Sequence, residues 1–194
     1  MDDLINLRLP TNYESLCRET AVSNFTMASD KLAGSLIRSL VASKPGGRFL
    51  ELGTGTGLSL AWLLDGMNNN SKVTSIDNDQ SLMDIARSFF GDDPRVELLC
   101  TDGKYWIEDY NGPAFDLIFA DTWPGKYNSL EKTLDLVAVG GFYLIDDMIP
   151  QSNWPKDHYK KAKELKESLE DRIDFHMSIL NWSTGVILLT RRQL

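Results

Sequence analysis

Within residues 49–60, FLELGTGTGLSL, three glycines stand at alternate positions, Gly53, Gly55 and Gly57, directly after an apolar run that carries one acid, Glu51. Glycine has no Cβ, so such a turn adopts unusual dihedrals and lets a ligand touch the backbone. The N-terminus of a following helix adds free N–H donors. A nucleotide-like guest suits this chemistry, although turns also select glycine for conformational reasons alone. The dinucleotide fingerprint G-x-G-x-x-G wants glycine where this chain has Leu58, which disfavours a nucleotide-dependent oxidoreductase. A P-loop is excluded as well, because no Gly-Lys-Ser/Thr follows.

Acids recur at the ends of β-prone runs. Glu51 lies two residues before Gly53, near enough to balance a ligand's positive charge; otherwise it is an outward-facing strand residue. In VTSIDND, Asp77 closes the second run, where an acid can accept hydrogen bonds from the two hydroxyls of a ribose. In CTDGKYW, Asp102 stands beside Gly103, where a carboxylate either meets an exocyclic amine or caps a helix. Three acids at successive strand ends favour one binding site over three unrelated caps.

The elements that must position these residues alternate. RFLEL, KVTSID, RVELLC, FDLIFAD and GFYLID read as short strands, separated by the helical stretches GLSLAWLLDG, QSLMDIARSFFG and SLEKTLDLVAVGG. Leu32, Leu36, Ile37, Leu40 and Val41 form an amphipathic helix ahead of them, with Ser29 or Asp30 as its cap. Gly66, Gly91 and Gly140 are expected at helix ends that need φ > 0. Strand and helix at this spacing predict parallel strands joined by right-handed crossovers, an α/β doubly wound sheet covered on both faces. Towards the C-terminus, KDHYKKAKELKESLEDR predicts a charged helix with an apolar line through Tyr159, Ala162, Leu165 and Leu169. IDFHMSIL and VILLTRR, separated only by NWSTG, then form an antiparallel pair at the sheet edge.

Taken in order, FLELGTGTG, the acid of SIDND, CTDG, DLIFAD and the double glycine of GGFYLID resemble the class I S-adenosylmethionine-dependent methyltransferases, over residues 25–192. The resemblance implies a three-layer Rossmann-like fold with a seven-stranded sheet, in a single domain of residues 25–194 behind an N-terminal extension of 1–24. It implies S-adenosylmethionine as cofactor. Gly53, Gly55 and Gly57, with Thr54 and Ser59, would admit the cofactor's methionine and ribose parts. Glu51 would lie near its amino group, Asp77 and Asn78 would hold the ribose, and Asp102 with Gly103 would border the adenine. Met27 to Ser29, in SNFTMASDKLAGSLI, would lie across it.

DLIFADTWPGKY and GGFYLIDDMIP look like the catechol and caffeoyl-coenzyme A type of O-methyltransferase. That likeness implies a hydroxyl acceptor on a small molecule, catalytic roles for Asp121 and Lys126, contact of Asp121 with the cofactor, and a homodimer. It also implies a divalent metal held by Asp121, Asp146 and Asp147. Three carboxylates suit a hard cation such as Mg²⁺. Acids at a strand end also cap the next segment without a metal. The chain departs from the pattern at Pro124, which stands where the catechol type has its general-base lysine. Lys126 falls on a neighbouring basic position and is either a base reached by a shifted loop or a solvent-exposed cation. His158 is a second candidate base or a surface histidine in a helix's first turn. Trp123, Tyr127 and Trp154 either wall an aromatic acceptor or pack.

The rest of the chain bounds these readings. A total of 194 residues, 42% of them hydrophobic, fits one domain. A net charge of −8 opposes nucleic acid and anionic membrane as partners. Cys17 and Cys100 match no metal spacing and read as reduced thiols of a cytoplasmic protein. The start of the chain shows no apolar signal segment, and no run approaches the length of a membrane span. A protein that binds S-adenosylmethionine without turnover is the other reading kept open.

Overall fold

Short strands alternate with helices from residue 48 onward: β1 (Arg48–Leu52), α3 (Leu58–Gly66), β2 (Lys72–Asp77), α4 (Gln80–Phe90), β3 (Val96–Cys100), α5 (Gly103–Asp109) and β4 (Phe115–Ala120). A short kinked turn, α6 (Trp123–Lys126), leads to α7 (Leu130–Asp135), β5 (Val137–Ile145), α8 (His158–Glu170), β6 (Phe175–Leu180) and β7 (Val186–Arg191). Two helices precede them, α1 (Tyr13–Val22) and α2 (Lys31–Ala42). The computed structural model describes residues 7–151, 154–182 and 184–194, so the first six residues and part of the NWSTG turn lie outside it.

The seven strands form one sheet in the order β3-β2-β1-β4-β5-β7-β6. β1 pairs in parallel with both β2 and β4, and β7 runs antiparallel between β5 and β6. The side-chain period of two divides the strands between two cores. Leu50, Leu52, Ile118 and Ala120 face Ile107 of α5, Leu134 of α7 and Leu165 of α8. Phe49, Leu117 and Phe119 face Ile37 of α2 with Leu60 and Leu63 of α3. Each such buried Leu, Ile or Phe side chain contributes about 1.5–3 kcal/mol. The N-terminal extension closes a third cluster, with Tyr13 edge-on to Trp62 at 5.4 Å.

The doubly wound sheet and the C-terminal hairpin are as the alternation predicts; several local expectations are corrected. α7 stops at Asp135, and VAVGGFYLI is one long strand whose pairing with β4 shifts register between Phe115 and Leu117. Gly140, at φ 73°, lies inside that strand and ends no helix. Gly66 and Gly91 do not take positive φ; a Cβ there would sit 2.5 Å from the Arg38 carbonyl oxygen and 2.6 Å from that of Arg87. Tyr159 is exposed, and only Ala162, Leu165 and Leu169 of α8 are buried. Asp30, rather than Ser29, caps α2 by accepting from the Ala33 N–H at 2.8 Å. Both cysteines are free thiols. Among the described residues no helix is long and apolar enough to cross a membrane.

Candidate functional site

The carboxyl ends of β1, β2 and β4 open into a cleft of about 520 Å³, at the point where strand order reverses. Open α/β sheets place ligands there. Gly53, Gly55 and Gly57 leave β1 with φ of 101°, 52° and 96°. Protein atoms already crowd them: a Cβ would lie 2.8 Å from the Asp121 carbonyl oxygen at Gly53 and 2.9 Å from the Phe25 ring at Gly55. The turn therefore requires glycine before any ligand arrives. Its hold on β2 is direct, since the Gly55 N–H donates to Asp77 Oδ2 at 2.8 Å.

Gly53, Thr54, Gly55, Ser59, Asp77, Asn78, Met27 and Asp121 all line this cleft. Gly57, the left-handed residue before α3, does not line it; a Cβ there would lie 2.9 Å from the Phe90 ring. A smaller cleft of about 300 Å³ holds Asp102 and Gly103. The two share Gly53, Asp77, Asn78, Thr122 and Trp123, so one groove continues from the glycine turn to α5. Asp102 also caps α5, accepting from the Lys104 N–H at 2.8 Å.

Glu51 lies beneath this groove, fully buried. Its Oε2 accepts from the Ser75 hydroxyl at 2.5 Å, and Ser75 is joined to Thr54 at 2.6 Å. Oε1 has no partner, a costly condition for a buried acceptor. Burial pushes the carboxyl up to about 8, against the hydrogen bond from Ser75.

At the far end of the cleft, Trp123, Tyr127, Trp154 and His158 meet. His158 stacks on Trp154 at 4.2 Å and stands edge-on to Tyr127. The Tyr127 hydroxyl lies 3.1 Å from His158 Nε2. Burial, and then the charge of Asp147, pushes Tyr127 up to about 12. Burial, then Lys126 and Lys161, lower His158. At neutral pH the phenol therefore keeps its proton, and the imidazole tautomer decides which of the two groups donates in this contact.

Lys126 is not a solvent-exposed cation. It is 4% exposed. Gly125, at φ 88°, reverses the chain, and its carbonyl accepts from the buried Tyr143 hydroxyl at 2.7 Å. That anchor turns the lysine inward, where Nζ donates to the Asp146 carbonyl at 2.8 Å and lies 3.5 Å from Asp121 Oδ1. Asp121 Oδ2 accepts from Ser29 at 2.7 Å. Asp146 Oδ1 accepts from Thr184 and from the Asp147 N–H, and burial, then the Asp121 charge, raise its pKa.

Asp121, Asp146 and Asp147 thus lie close together without aiming at one point. Among the described residues no three His, Cys, Asp or Glu side chains form a group that would hold a metal ion. Lys126 carries the positive charge of the cluster, and the trio does not fit Mg²⁺ in this arrangement. Phe25, Gln151 and Thr184 also line the cleft, and no sequence spacing singles them out.

Comparison with known proteins agrees with this geometry. The chain is 25% identical to the caffeoyl-CoA O-methyltransferase of Stellaria longipes over 170 residues, 76% of this chain and 70% of that one. It is 29% identical over 111 residues to a Mycobacterium avium protein provisionally named an O-methyltransferase. That alignment covers 55% of this chain and spans about half the length of the relative. The fold matches the O-methyltransferase from Bacillus cereus solved in complex with S-adenosylhomocysteine, with a TM-score of 0.80, 22% identity and coverage of 98% and 94%. It also matches TomG of Streptomyces achromogenes, solved with S-adenosylmethionine, at a TM-score of 0.81, 18% identity and coverage of 97% and 93%. A methyltransferase domain model matches residues 50–148, from the middle of β1 past the end of β5. Since that span is slightly more than half of the chain and carries the glycine turn, Asp77 and Asp121, the protein belongs to the methyltransferase domain family.

Proposed function

We propose that this chain transfers a methyl group from S-adenosylmethionine to a hydroxyl oxygen of a small molecule. One observation carries the reading: a single cleft joins Asp77 and the glycine turn to the aromatic cluster of Tyr127, Trp154 and His158. It offers a nucleoside end and an acceptor end with Asp121 between them. The cradle fits the cofactor, because Gly53, Gly55, Asp77 and Asn78 line one cleft and Glu51 Oε1 beneath it is a buried polar atom left without a partner.

In this reading Asp77 and Asn78 hold the ribose hydroxyls, and Asp102 with Gly103 borders the adenine in the smaller cleft. Gly53, Thr54, Gly55 and Ser59 line the methionine part, and Met27 covers it. When bound, the cofactor supplies a sulfonium methyl open to in-line displacement, so the protein must align an acceptor oxygen and remove its proton. Tyr127 and His158 are placed to take that proton. An acceptor hydroxyl bonded to Tyr127 Oη passes it along the 3.1 Å contact to the imidazole in the tautomer whose Nε2 carries no proton. An oxygen acceptor and a homodimeric assembly rest on the relatives' likeness.

Titration with S-adenosylhomocysteine by calorimetry tests the reading. Micromolar binding is expected, weakened about ten- to a hundred-fold in Asp77→Ala, since hydrogen bonds to a charged acceptor are worth about 1.5–3 kcal/mol. Absence of binding by the unaltered chain would remove the cofactor and the reaction with it. For the proton path, Tyr127→Phe should lower kcat about a hundred-fold while leaving S-adenosylhomocysteine affinity within about two-fold, the low end of general acid–base contributions of about 10²–10⁴. An unchanged kcat on a productive acceptor would take Tyr127 out of the path. Sedimentation velocity decides the assembly.

A further inference from the structure

We propose that the Lys126 ammonium is the resident cation of the Asp121–Asp146–Asp147 cluster, standing in the seat that O-methyltransferase likeness gives to a divalent metal. Four observations converge on it. The side chain is buried, and its nitrogen reaches two different strand ends, the Asp146 carbonyl after β5 at 2.8 Å and Asp121 Oδ1 after β4 at 3.5 Å. The loop that delivers it is built for the purpose: left-handed Gly125 turns the chain, and its Cβ position is blocked by Leu52 at 2.6 Å. Tyr143, buried in the core, ties down the carbonyl next to the lysine. Two further carboxylate oxygens are engaged, with Ser29 on Asp121 Oδ2 and Thr184 on Asp146 Oδ1.

Charge logic points the same way. Carboxylates this close and this buried repel one another unless a cation sits between them. An ammonium supplies one unit of charge and three donors at fixed positions, with no ligand shell to fill. A divalent ion entering here would have to displace Lys126 or bind against its charge. The chain therefore keeps a cation of its own in the acid cluster with metal absent, a property that stands whether or not it transfers methyl groups.

Two measurements on the whole chain test this, neither of which reads turnover. Mn²⁺ titration followed by electron paramagnetic resonance is expected to show no binding at micromolar ion. Stoichiometric micromolar binding that Asp146→Asn abolishes would overturn the proposal. Separately, Lys126→Met should lower Tm by roughly 5–15 °C, the effect of leaving buried carboxylates uncompensated. Adding Asp121→Asn to that variant should recover more than half of the loss. If Lys126→Met fails to fold, the second substitution should restore folding. Purely additive losses, or no rescue of an unfolded variant, would show that the lysine does not balance the cluster.

Discussion

At the residue scale the strongest tension lies in Glu51. Its carboxyl is held up near 8 mainly by burial, whereas the group ordinarily sits at 4.5. The folded chain thus keeps a proton that the unfolded chain releases. Stability of the unliganded protein should fall as pH rises from about 4.5 to about 8 and level off above that. Glu51→Gln should remove this slope: calorimetric melting curves of the two proteins should lie close together near pH 5 and separate towards pH 8, with the variant the more stable. Parallel pH profiles would mean that Glu51 finds a partner or solvent in solution. Residue types announced this position, because an acid stands out inside the apolar run RFLEL, while the alternative of an outward-facing strand residue is excluded by its full burial. They did not announce Lys126. Its burial depends on Gly125, Tyr143 and Asp146, contacts across 18 to 20 residues that no local pattern encodes.

At the scale of elements, the glycine of α2 shows where propensity loses to packing. Gly34→Ala would ordinarily stabilise a helix by about 1 kcal/mol. Here a Cβ would collide with the ring of Trp62, a buried residue of α3 that also packs on Tyr13 of α1. Overpacking of that kind costs about 1–3 kcal/mol, so the sign should reverse. A Tm lowered by roughly 2–6 °C in Gly34→Ala is expected, and a raised Tm would show that the helices can slide apart. The same contest limits what the sequence discloses. Alternation revealed the parallel sheet and its helices, because burial of both faces leaves long apolar runs. It misread VAVGG, since small and β-branched residues before GFYLI extend a strand as readily as they end a helix. Gly66 and Gly91 looked like left-handed caps and serve instead as points where backbones touch.

For the whole molecule, the acid surplus of −8 repels polyanions and leaves small ligands as the natural guests of the groove. The order β3-β2-β1-β4-β5-β7-β6 has a further consequence, in biosynthesis. β1 meets β2 after a short stretch of chain, but its other edge pairs Phe49 with Leu117 and Leu52 with Ala120. A nascent chain that has emerged only through β3 carries the glycine turn and Asp77, yet the flank of β1 is bare. Open strand edges recruit other chains, and non-local pairing is slow. The half that carries the glycine turn is thus made before the strand that covers its open edge. Until residues 115–120 leave the ribosome, it is the part of this protein most in need of a chaperone.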